Sequence, residues 1–181
     1  YDYGTQIENQ LAHWESAGIL AGVPVDKTGI DSAPIFNDAT ELTGLSTEEL
    51  AVMARGYLDI NCAHCHRDGL TIPTPNYAGA AGDSGLTVEF SGDFSADPGR
   101  FGICKTAVAG GYPADDTGYN QYPRDVIPQH ADKSYLLYRM NTNDGRHKMP
   151  ELGRASIHKE GVELIKAWIN SLPANDCGLT L

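Results

Sequence analysis

Positive charge is scarce in this 181-residue chain, in which 13 lysine and arginine residues stand against 24 aspartate and glutamate residues for a formal net charge of −11. Nucleic acids and anionic membranes attract proteins through basic patches, so the acidic balance argues against both and leaves complementary basic proteins as one class of partner. The sequence also lacks an apolar run near the roughly 20 residues that span a bilayer. We therefore expect no nucleic-acid partner and no membrane insertion.

Cysteine is equally sparse, with four residues in the chain. Cys62 and Cys65 form a Cys-x-x-Cys pair, whereas Cys104 and Cys177 stand alone. A zinc site would need two more closely spaced ligands, and a thioredoxin-like redox pair would need a βαβ pattern that the sequence does not show. These two alternative interpretations of Cys-x-x-Cys therefore fit less well than the one that the next residue suggests.

Histidine follows the pair directly, in the run Cys62-Ala63-His64-Cys65-His66. Cys-x-x-Cys-His is the attachment signature for covalently bound c-type haem. Thiols three residues apart on a helical turn share one face, where both can add to the vinyl groups of one porphyrin. The neutral imidazole of His66 then reaches the iron as the proximal ligand. We expect one covalent haem c, with His64 facing solvent.

The second axial ligand is expected to be Met149, because Pro150 forces an extended backbone there and a loop methionine can turn its sulfur toward a flat cofactor. Met53 and Met140 fall on the apolar faces of helical patterns and are assigned to the core. A thioether favours ferrous iron, so the His66/Met149 pair predicts a fairly oxidising one-electron carrier. The alternative ligands are His147, His130 and His158, or none.

Cys104 and Cys177 remain once the haem motif has taken its pair. Covalent haem attachment occurs outside the bacterial cytoplasm, and spare cysteines in an oxidising compartment usually bond to each other. We expect a Cys104–Cys177 disulfide, with two buried free thiols as the alternative, and a periplasmic or secreted location. The sequence carries no secretory signal peptide and begins at Tyr1, so we expect a mature or excised segment.

Four helices are predicted, of which the first runs from about Gln6 to Ala17. The second follows a capping box at Ser46-Thr47-Glu48-Glu49 and leads directly into Cys62. The third is expected from Ser134 to about Asn141, and the last after Ser156, ending near Leu172 before a proline. The apolar stripe of the last helix is expected to pack on the helix that precedes Cys62.

The segment between the haem motif and the third helix is rich in glycine and proline and has little periodicity. Residues 86–90 alternate like a short strand, so we expect an ordered, loop-rich insertion carrying a small β-hairpin. One domain over 1–181 is predicted. Its parts are an N-terminal helix and arm (1–45), a haem-motif helix (46–67), the insertion (68–130), and a Met-ligand loop with the C-terminal helix (131–181).

This order of parts resembles the class I cytochrome c fold, and four segments resemble a bacterial secreted cytochrome family: 57–66 (YLDINCAHCH), 134–140 (SYLLYRM), 149–153 (MPELG) and 167–170 (AWIN). Members of that family often form C-terminal haem domains of larger extracytoplasmic proteins, some beside carbohydrate-oxidising machinery. The resemblance implies a mainly α fold, thioether bonds at Cys62 and Cys65, and axial ligands His66 and Met149. In a compact class I cytochrome a proline carbonyl orients the proximal imidazole, and Pro73 or Pro75 is expected in that role.

The expected function is one-electron transfer to and from a redox partner protein, such as a carbohydrate-oxidising enzyme, and no residue is an evident catalytic acid, base or nucleophile. The first alternative is a peroxidase or ligand-binding haem with an open or labile distal face, where Arg146 or His147 would act. The second is a polysaccharide- or protein-binding module with an accessory haem. The aromatic residues proposed for sugar stacking in that case are Tyr77, Tyr112, Tyr119 and Tyr122.

Overall fold

The computed structural model describes residues 2–4, 6–67, 84–108 and 122–181. The fold is mainly α, as predicted, and the described residues contain isolated β-bridges in place of strands. The chain divides into two compact units, residues 1–32 and 33–181, which we describe separately. The single domain predicted over 1–181 stays a prediction.

The first unit contains one short helix, α1 (Gln10–Ser16). It begins four residues later than predicted because Asn9 caps it. The Asn9 side chain accepts hydrogen bonds from the backbone N–H groups of Leu11 and Ala12, at 3.0 and 3.2 Å. Such a cap satisfies amide groups that have no partner within the helix, and it therefore fixes where the helix starts.

The second unit begins its helical core with α2 (Thr47–Leu58), and the predicted capping box is present. Ser46 Oγ accepts from the backbone N–H of Glu49, while the Glu49 carboxylate accepts from the backbone N–H of Ser46. The reciprocal bonds satisfy two amide groups at the start of the helix. At its other end, α2 passes into a π-helical turn (Asp59–Ala63) that carries the first cysteine of the haem motif.

A 3-10 turn (Ala131–Lys133) leads into the short helix α3 (Tyr135–Met140), near the predicted position of the third helix. The last helix is α4 (Lys159–Ser171), which begins slightly later than predicted and ends before Pro173. Its apolar stripe is fully buried, and the residues with no exposed surface are Leu164, Ile165, Trp168 and Ile169.

Helices α2 and α4 pack against each other, as predicted from the apolar stripe of the last helix. Gly161 at the start of α4 lies so close to Tyr57 that an added Cβ would overlap the tyrosine ring. At the other end of the pair, Thr47 Oγ1 donates to the carbonyl of Ser171 at 3.1 Å. The crossing therefore holds the haem motif, which follows α2, against the core of the unit.

The expected hairpin does not form in the described part of the insertion, which covers 84–108 and 122–130. The backbone amides of residues 87 and 88 donate instead to the carbonyls of Arg100 (2.8 Å) and His66 (2.9 Å), so no ladder of adjacent pairs is built.

Cys104 and Cys177 lie at disulfide distance, with an S–S separation of 2.04 Å. Among the described residues, no helix is both long enough and apolar enough to cross a bilayer.

Candidate haem-attachment site

The three residues of the predicted attachment motif lie on one tight turn. The backbone N–H groups of Cys65 and His66 both donate to the carbonyl of Cys62, at 3.0 and 2.8 Å. The two thiols are not bonded to each other; Cys62 is half-buried and Cys65 is exposed. His64 is exposed, in the orientation that the sequence predicts. The turn thus presents two free thiols and an imidazole within five residues.

The imidazole of His66 is held by a backbone carbonyl from the insertion. Its Nδ1 lies 3.3 Å from the carbonyl oxygen of Leu86. A carbonyl oxygen can only accept a hydrogen bond, so Nδ1 carries the proton and Nε2 carries the lone pair. Burial lowers the pKa of His66, and the bond to Leu86 opposes that shift. The ring is therefore oriented and neutral, and Nε2 keeps the lone pair through which an imidazole binds a metal.

Two side chains near the haem motif fix the segment that supplies the Leu86 carbonyl. The Asp59 carboxylate accepts from the backbone N–H of Phe90 at 2.9 Å. The Arg55 guanidinium donates to the carbonyls of Phe90 and Gly92, at 2.5 and 2.6 Å. Residues of α2 and the π-helical turn thereby tie the described start of the insertion to the haem motif.

Burial also affects the first thiol and a neighbouring phenol. It raises the pKa of Cys62 to about 12, with the nearby Cys65 as a smaller cause. Tyr57 has a pKa raised to about 12, again chiefly by burial, and it interacts electrostatically with Cys62 and with Arg154. The Tyr57 hydroxyl hydrogen-bonds to Nδ1 of His158 at 3.0 Å. Both groups are therefore protonated at neutral pH.

Met149 lies in a loop docked on the end of α3. Its backbone N–H donates to the carbonyl of Arg139 at 2.9 Å, and its side chain is half-buried. The Arg139 side chain donates from Nε to the carbonyl of His147 at 2.8 Å, and its charge contributes to the lowered pKa of His66. Arg139 therefore holds the Met149 loop and interacts electrostatically with His66. The other two methionines belong to the core, as predicted. Met140 is buried in the core, and Met53 is partly buried and packs against the core.

Three of the alternative distal groups, Arg146, His147 and His158, have other partners. His147 is buried and its Nδ1 lies 3.0 Å from the Tyr135 hydroxyl. Arg146 is exposed and its guanidinium pairs with the Asp144 carboxylate at 2.8 Å. His130 is half-buried beside the start of α3, and His158 lies exposed at the start of α4.

A zinc site at Cys62 and Cys65 finds no additional ligands among the described residues. In residues 2–4, 6–67, 84–108 and 122–181, the metal-binding side chains that converge in threes are Asp38, His158 and Glu160. All three are exposed, and neither Cys62 nor Cys65 is among them. The donor set at the haem motif, two thiols and one neutral imidazole on one turn, fits covalent haem better than tetrahedral zinc.

The residues predicted to stack on sugars are only partly described. Tyr122 packs on Tyr138 with ring centroids 4.6 Å apart, which is an internal contact. Tyr77, Tyr112 and Tyr119 lie outside the described residues, as do Pro73 and Pro75. The carbonyl that contacts the His66 imidazole is that of Leu86, in the role expected of one of those two prolines. Leu86 and Arg139 were not predicted as site residues, since a backbone carbonyl and a helix-surface arginine leave no signal in sequence spacing.

Comparison with protein-family models, with curated proteins and with solved structures gave no match to this chain.

Proposed function

We propose that this chain is a monohaem c-type cytochrome with a class I cytochrome c-like fold, which transfers single electrons in the periplasm or outside the cell. The proposal depends above all on the His66–Leu86 hydrogen bond, which fixes an imidazole with its free nitrogen at the end of a Cys-x-x-Cys turn. When bound, the haem supplies an iron that alternates between ferric and ferrous states. Cys62 and Cys65 would hold the porphyrin, and His66 and Met149 would hold the iron.

The protein's own residues set the properties of such a site. The Leu86 carbonyl orients His66 and increases its basicity, while Ala63 is buried and Cys62 half-buried on the inner side of the turn. The Met149 loop approaches from the end of α3 and would offer a soft sulfur, which raises the reduction potential relative to a second imidazole. The acidic surface favours a basic electron-transfer partner.

The supporting observations also argue for carrier over enzyme. The two residues considered as distal acid or base, Arg146 and His147, are respectively paired with Asp144 at the surface and buried against Tyr135. Both side chains have partners within the protein, which argues against a role for either as the acid or base of a peroxidase. We therefore favour electron transfer over peroxidase chemistry.

Covalent attachment provides the direct test. The chain is expressed with a cytochrome c maturation system, denatured, and examined by intact mass and haem-stained gel. We expect haem to remain on the wild-type chain and on His64→Ala, which alters an exposed residue between the two cysteines and leaves both thiols and His66 in place. The double variant Cys62→Ala/Cys65→Ala should lose it. A wild-type chain that carries no covalent haem would overturn the proposal.

A further inference from the structure

The Arg154 guanidinium donates hydrogen bonds to four backbone carbonyls at the junction of α3 and the Met149 loop. Its Nη1 atom lies 2.8 Å from the carbonyl of Met140, 2.7 Å from that of Met149 and 3.4 Å from that of Arg139. Its Nη2 atom donates to the carbonyl of Thr142. One half-buried side chain therefore joins the last turn of the helix to the loop.

The position suits a cation that also has several donors. The last carbonyls of a helix have no partner within it and carry its partial negative charge, so a guanidinium there is favourable. Arginine presents five N–H groups in a rigid fork, whereas lysine offers a single ammonium. Arg154 can therefore satisfy the end of α3 and hold the loop at the same time.

Met149 is tied on both sides of its own α-carbon. Its N–H donates to Arg139 and its carbonyl accepts from Arg154, so both polar groups of this residue are held by the α3 junction. A thioether is a neutral, weak ligand, and its hold on a metal depends on how well its backbone is positioned. These two bonds fix the backbone of Met149, from which its side chain extends.

We propose that Arg154 is a positioning residue for the distal ligand: its fork of backbone hydrogen bonds keeps the Met149 sulfur in place against competing ligands. This inference rests on the proposed function, because it requires a haem whose distal ligand is Met149. This set of four hydrogen bonds, the Arg154 clamp, acts through its geometry, and the positive charge alone does not suffice.

Two substitutions separate the clamp from the charge. Arg154→Lys keeps the charge but cannot reach all four carbonyls, and Arg154→Met removes both. Lys166→Met serves as the control, since it removes one exposed cation of α4 that pairs with Glu163. Imidazole is titrated into each ferric holoprotein, and its dissociation constant is read from the absorption change. Far-ultraviolet circular dichroism establishes that each variant is folded.

Both Arg154 variants should bind imidazole about 10- to 100-fold more tightly than the wild type, with Lys166→Met unchanged. Wild-type affinity in Arg154→Lys would show that charge alone is sufficient and would overturn the clamp. Wild-type affinity in both variants would remove Arg154 from ligand positioning altogether. A wild-type holoprotein without the near-infrared band of iron-bound methionine would show that Met149 is not the ligand and would also overturn the inference. A wild-type chain that carries no covalent haem would refute the proposed function itself, so the two failures are distinguishable.

Discussion

Nδ1 of His66 lies 3.3 Å from the carbonyl oxygen of Leu86, 20 residues further along the chain. The contact joins the haem motif to the insertion, and it is reinforced because the N–H of Val88 donates back to the carbonyl of His66 at 2.9 Å. The insertion thus takes part in the candidate site, since it supplies the group that decides the tautomer of the His66 imidazole.

Loosening the Leu86 segment should change the reduction potential. Asp59→Ala removes the acceptor for the N–H of Phe90 and should weaken the His66–Leu86 bond. A weaker bond makes the imidazole less basic and stabilises ferric iron less, so the potential measured by redox titration should rise. Asp93→Ala, which removes an exposed turn cap, is the control. Equal potentials in the two variants would show that this segment does not tune the iron.

The Lys105–Asp125 ion pair should make stability depend on pH. The two groups are 2.9 Å apart and largely buried, yet burial outweighs the lysine and raises the pKa of Asp125 above its usual value. Lys105→Met would raise this pKa further and cost about 3 kcal/mol of unfolding free energy at neutral pH. A carboxyl with a raised folded pKa binds more protons when folded, so stability falls as pH rises from about 4.

Urea unfolding at several pH values checks this expectation. The loss in Lys105→Met should be small near pH 4 and grow toward neutrality. Lys166→Met, which breaks an exposed pair, should change the unfolding free energy by about 0.5 kcal/mol or less. If the loss of unfolding free energy in Lys105→Met is the same at every pH, the substitution does not change the pKa of Asp125 in the folded protein.

The sequence predicts elements whose signals are local, and it misses those that depend on distant contacts. The capping box at Ser46 fixes the start of α2 through side chains three residues apart, so it can be read directly. The hairpin expected at 86–90 fails because the backbone of this segment bonds to His66 and Arg100, and alternation cannot reveal such partners. Leu86 is absent from the predicted site because only its carbonyl takes part.

Gly161 should be intolerant of a larger residue. A Cβ there would overlap the hydroxyl and ring of Tyr57, so Gly161→Ala must push the tyrosine away from its bond to His158. We expect a net loss of about 1–3 kcal/mol, although alanine alone would favour the helix by about 1 kcal/mol. Gly145→Ala has nothing within 4 Å of its new Cβ and should be near neutral in denaturant unfolding. Stabilisation by Gly161→Ala would contradict this packing.

The Cys104–Cys177 bond should contribute substantially to stability. It closes a loop with a sequence separation of 73, for which the chain-entropy model gives about 4 kcal/mol. Cys104→Ser/Cys177→Ser should unfold at a correspondingly lower denaturant concentration. Reduced wild-type protein provides the control, because it should match the double variant. Unreduced, denatured wild type that titrates with two free thiols outside the haem motif would exclude the bond.

The absorption spectrum of the ferric and ferrous protein tests the central claim most directly, with Met149→Ala measured beside the wild type. We expect a low-spin wild-type spectrum with the weak near-infrared band of methionine sulfur on ferric iron. Met149→Ala should lose that band, fall in reduction potential and gain peroxidase activity. A high-spin wild type without the band, or a band that survives in Met149→Ala, would contradict His66/Met149 ligation.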